Sequence, residues 1–128
     1  MSMFNALLLV GLGGAIGSAL RFLLSSWAGQ VNGFFVVTLA VNLAGSFLIG
    51  LIFGAAEQRE FLTTGTRLFL LTGILGGFTT FSAFSLVNFS LFQDGRVVIG
   101  FMNILLQIVL GLGLCAAGYF AGGHWLKG

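Results

Sequence analysis

The sequence runs to 128 residues, 58% hydrophobic and only 6% charged, with a net charge of +2 and no proline. Soluble domains carry about 25% charged residues, so this composition excludes one. No Lys/Arg cluster offers nucleic acid an electrostatic footprint, and a lone Cys115 allows neither an intrachain disulfide nor a thiolate metal cluster.

Residues 1–20, 22–56, 68–93 and 97–126 are free of Asp, Glu, Lys and Arg. Each is at least as long as the roughly 20 residues a helix needs to cross a bilayer. The expectation is an all-α integral membrane protein with four transmembrane helices, at about 3–27, 34–56, 67–92 and 97–125. They form one domain over residues 1–128, with no internal repeat.

The first segment begins MSMFNALLLVG, without a basic n-region or a small-residue cleavage signal, and reads as a retained span. Arg21 ends its charge-free run in GGAIGSALR. About 18 helical residues precede it, roughly 27 Å at 1.5 Å each, so it lies near the far interface. There it either snorkels to headgroups or places a positive charge at the mouth of an anion path. On the second span Thr38 and Asn42 stand four apart, hence on one face. An Asn in hydrocarbon needs a hydrogen-bond partner, either another helix or a permeating anion. The loop EQREFLTTGTR holds four of the eight charged residues and must be aqueous.

The third span contains GGFTTFSAFS, residues 76–85. Each glycine costs a helix about 1 kcal/mol relative to alanine, and hydroxyls follow at once. This predicts a broken third helix, with Phe81 and Phe84 on one face of its second half. Irregular backbone at membrane depth survives only where protein or water satisfies it. Freed carbonyls there attract a small cation, and freed N–H groups attract an anion. Phenyl edges are electropositive, so an ion meeting them exchanges part of its hydration shell for C–H, hydroxyl and amide donors. No fixed charge then traps it, and conduction requires binding weak enough for exit. Asn88 lies nearer the end of this span and reads as interfacial. QDGR, residues 93–96, is a tight turn with Gly95 free to take positive φ. On the fourth span Asn103 and Gln107, again four apart, read as interhelical hydrogen-bonding groups.

No span contains a carboxylate: Glu57, Glu60 and Asp94 all lie in loops. Proton-coupled transport usually relies on an embedded one, so a small multidrug or cation exporter is the disfavoured alternative. His124, the only histidine, sits at the chain's end without partners for hydrolysis; no enzyme activity is expected. Gly13/Gly17, Ser46/Gly50/Gly54, Gly73/Gly77 and Gly118/Gly122 put small residues every fourth position, where transmembrane backbones approach closely. The positive-inside bias is weak. Arg59, Arg67 and Lys127 share one side, against Arg96 and Arg21 on the other. Insertion in both orientations, yielding antiparallel pairs, follows as an expectation.

These motifs resemble the bacterial Fluc (CrcB-type) fluoride channels over essentially the whole chain. GGFTTFSAFS looks like that family's GGxTTFSTFS, supported by GGAIGSALR and TLAVNLAGSFLIG in order. The resemblance implies an antiparallel, dual-topology homodimer in lipid, a multi-pass protein of the bacterial inner membrane that passively exports cytoplasmic fluoride. It implies pores lined by Phe81 and Phe84, with Asn42 as pore amide, Arg21 as vestibule cation, and Ser82 and Thr38 as polar pore-side groups. A sodium ion at the dimer centre is implied on the backbone carbonyls of Gly76 and Thr79. Ala83 replaces the family's usual threonine, and Val87 stands where a glutamate commonly follows.

Overall fold

The computed structural model describes residues 1–28, 33–58 and 62–125. Arg59 and Lys127, used above for topology, lie outside the described residues. Helix α1 spans Met3–Trp27 and α2 Gly33–Gln58. The third span starts as α3 (Thr64–Arg67), widens to a π-helix over Leu68–Leu75 and returns to an α-turn, α4 (Gly76–Phe78). After two extended residues it resumes as α5 (Phe81–Gln93), and α6 runs from Val97 to Trp125. The described residues contain four helical segments long and apolar enough to cross a membrane, Met3–Trp27, Phe35–Glu57, Thr64–Gln93 and Val97–His124. Side-chain hydroxyls cap the starts of the first and third: Ser2 accepts from the Asn5 N–H, and Thr63 from the Thr66 N–H. Gly95 takes φ 75° in the turn between α5 and α6, the left-handed geometry its sequence predicts.

Packing follows the small-residue faces. The backbones of α2 and α6 touch. A Cβ on Gly50 would strike the Cys115 carbonyl, one on Gly54 the Tyr119 carbonyl, and one on Gly118 the Phe47 carbonyl. Helix α1 lies against the first half of the third span in the same way, with Gly13 and Gly17 buried there. Glu57, expected in the loop, instead falls in the last turn of α2, where one of its carboxylate oxygens accepts from Tyr119 Oη on α6 at 2.5 Å. Close backbone approach suits lipid, where association comes from van der Waals contact rather than from expelled water. Large apolar side chains such as Phe4, Phe22, Phe101 and Leu112 point outward.

The break falls two residues beyond the glycine pair. Gly76 keeps helical angles (φ −63°, ψ −38°). Gly77 stays in α4 and packs on Gly14, where a Cβ would lie 2.6 Å from the Gly14 carbonyl oxygen. Thr79 (φ −87°, ψ 156°) and Thr80 (φ −153°, ψ 125°) are the extended residues. Adjacent β-branched side chains favour that region, whereas Gly77 serves helix contact.

Candidate anion site at the helix break

Asn42, reaching across from α2, holds the break open. Its Oδ1 accepts the Thr80 N–H at 3.0 Å, and its Nδ2 donates to the Thr80 carbonyl at 3.2 Å. The same Nδ2 donates to Gln107 Oε1 on α6 at 2.9 Å. Both amide hydrogens of the predicted anion donor are therefore engaged with protein. Thr80 Oγ1 accepts the Ala83 N–H at 3.2 Å, capping α5, and lies 3.2 Å from Ser82 Oγ.

These side chains take the two N–H groups that a continuous helix would bring to the carbonyls of Gly76 and Thr79. The Thr80 N–H goes to Asn42 and the Ala83 N–H to Thr80 Oγ1. Both carbonyls thus lose their i+4 donors, and these are the two oxygens the sequence resemblance assigns to sodium. The described residues hold no group of three His, Cys, Asp or Glu able to bind a metal. Backbone oxygen suits a hard alkali ion, so the residues fit the implied cation.

An open cavity of about 370 Å³ lies over the break, its wall including Asn42, Gly76, Thr79, Phe81, Phe84 and Gln107. Phe81 is 78% exposed and Phe84 half-buried. Their rings are neighbours, with centroids 5.5 Å apart and planes 33° apart. Three sequence-selected residues stand outside this wall. Ser82 is exposed on the first turn of α5, and Thr38 is buried one helical turn before Asn42. Arg21 lies on α1, and its buried Nε has no hydrogen-bond partner among the described residues.

The sequence reading missed the reach of the amide groups. Asn103 and Gln107 do bond to other helices. Asn88, read as interfacial, is instead 4% exposed: its Nδ2 donates to the Phe84 carbonyl at 2.8 Å, and its Oδ1 accepts from Asn103 Nδ2 at 2.9 Å. Only its position seven residues past Phe81, two turns along the same face, hinted at this.

Four apolar spans, the third of them broken, with a ring-lined cavity at the break, define a small multi-pass membrane protein. The family model described as CrcB-like protein, Camphor Resistance (CrcB), matches residues 8–119. The chain is 46% identical over 116 residues to the fluoride-specific ion channel FluC of Agrobacterium fabrum, covering 89% of this chain and 93% of that protein. It is 48% identical over 118 residues to the FluC of Rhizobium etli, with 90% of each covered. Against the FluC of Leptospira interrogans it is 39% identical over 120 residues, covering 92% and 94%. The chain belongs to the CrcB family.

Proposed function

We propose that the protein is a passive fluoride-selective channel that discharges cytoplasmic fluoride across the bacterial inner membrane. One observation carries this reading: two adjacent phenyl rings open onto a cavity at a capped helix break, with hydroxyls beside them and, among the described residues, no charged side chain in the cavity wall. The names of the relatives, all fluoride-specific channels, support the choice of anion.

Fluoride meets the electropositive edges of Phe81 and Phe84 and the hydroxyl of Ser82, near the N-terminus of α5, where the helix favours negative charge. The Asn42 hydrogen now given to Gln107 is the donor for which an anion competes. Thr38 continues the polar side of α2 by one turn. Arg21 raises anion concentration at the entrance. No energy source is required, since a negative-inside potential drives an anion outward at about 2.3 kcal/mol per 100 mV.

One chain is too thin to shield such a path, so the working unit is an antiparallel homodimer in lipid. Gly76 and Thr79 would hold a sodium ion through their carbonyls, and a twofold-related copy would double the set to four oxygens. That ion would supply a fixed charge that binds the two broken helices together.

Fluoride efflux from proteoliposomes, read with a fluoride electrode, tests the reading. Wild-type protein is expected to empty the vesicles, and Phe81→Ile and Phe84→Ile to slow them sharply. Equal rates for wild type and both variants refute the role of the rings. For sodium, detergent-solubilised dimer is expected to lose thermal stability when sodium is exchanged for a large organic cation; an unchanged melting temperature counts against the site.

A further inference from the structure

Resting on the channel reading above, we infer that Gln107, Asn103 and Asn88 are positioning residues. They form a one-way chain of side-chain hydrogen bonds that sets the pose of the ring-bearing turn of α5. The chain is continuous. Asn42 Nδ2 donates to Gln107 Oε1 at 2.9 Å, Gln107 Nε2 to Asn103 Oδ1 at 3.4 Å, Asn103 Nδ2 to Asn88 Oδ1 at 2.9 Å, and Asn88 Nδ2 to the Phe84 carbonyl at 2.8 Å.

Both ends fix its polarity independently. At the break, an N–H can meet only Asn42 Oδ1 and a carbonyl only its Nδ2, so the Thr80 peptide dictates how that amide faces. At the far end the Phe84 carbonyl demands a donor, which orients Asn88. The amides between satisfy both demands without a reversal.

The circuit also closes on itself. It leaves the third span at Thr80, crosses α2 and α6, and returns to the third span at Phe84. Those anchor points bracket Phe81 and include Phe84, so the first turn of α5 is held from both sides. The links are almost dry: Asn103 is 1% exposed, Asn88 4% and Gln107 9%. No water competes in the bilayer core, and chained hydrogen bonds in a low dielectric polarise one another. Asn88 and Asn103 lie outside the cavity wall and act through the turn they hold.

Efflux and thermal stability, measured together, separate this role from simple packing. Asn88→Leu or Asn103→Leu alone orphans a buried amide, and each is expected to lower both melting temperature and efflux. The double variant Asn88→Leu/Asn103→Leu removes both ends of that bond. Its melting temperature is expected to rise above that of either single variant, short of wild type because Gln107 Nε2 still loses its acceptor on Asn103, while efflux stays about tenfold or more below wild type, the scale on which supporting partners act at other built sites. If efflux recovers along with stability, the amides are only packing groups and the inference falls. Should the double variant fail to assemble, Gln107→Met cuts the chain at the half-open cavity wall; the same loss of efflux is expected even though the change frees the Asn42 hydrogen for an anion, and an unchanged or raised rate overturns the inference. A wild-type protein that moves no fluoride would instead defeat the channel reading, before any variant is compared.

Discussion

Replacing Asn42 with leucine tests whether one side chain keeps the third helix broken. The substitution roughly conserves volume but deletes three hydrogen bonds, to the Thr80 N–H, the Thr80 carbonyl and Gln107 Oε1. At about 0.5–1.5 kcal/mol net apiece these sum to roughly 1.5–4.5 kcal/mol. The Thr80 N–H is left without its partner in the wall of the open cavity, and the peptide at the break is free to swing away from α2. An opening free energy lowered by about 2–3 kcal/mol corresponds to roughly 30- to 150-fold faster amide exchange. Site-resolved hydrogen exchange in lipid nanodiscs should therefore show the Thr80 and Ala83 amides losing protection, while α6 amides such as Val109 stay protected. Fluoride efflux should fall in parallel. Thr80 protection equal to wild type would refute the clamp.

Gly50→Ala drives a methyl into the Cys115 carbonyl; overpacking of this kind costs about 1–3 kcal/mol, which a melting curve of the purified protein reads directly. Gly11→Ala, with open space around the site, should change stability by under about 1 kcal/mol in the same assay. Thr80→Val keeps the β-branch and removes the cap on Ala83, a loss of about 1 kcal/mol visible as faster exchange in the first turn of α5 alone. Arg21→Gln should slow efflux more at low ionic strength than at high, because screening removes the attraction the guanidinium supplies; a salt-independent loss would remove Arg21 from the entrance.

How legible was the site? Phe81 and Phe84 stand out from the other phenylalanines because hydroxyls and a glycine pair surround them, and the structure sets their rings side by side. The glycine pair misleads about the fracture itself. Intrinsic propensity penalises Gly76 and Gly77 in a helix, yet contact with Gly14 keeps Gly77 helical. Asn42 draws notice as a polar group in hydrocarbon, but its binding of the Thr80 peptide joins residues 38 positions apart, and no local pattern encodes that.

The sequence alone determined four apolar crossings, their limits to within about three residues, and the small-residue stripes along which the helices meet. Those features depend on local chemistry: the length of apolar chain needed to cross lipid, and the space a missing side chain leaves. Tertiary structure alone decided where the third helix parts and that Asn88 turns inward. It also decided that four amides share one direction, because each of these outcomes depends on which buried donor finds which acceptor once the helices are side by side.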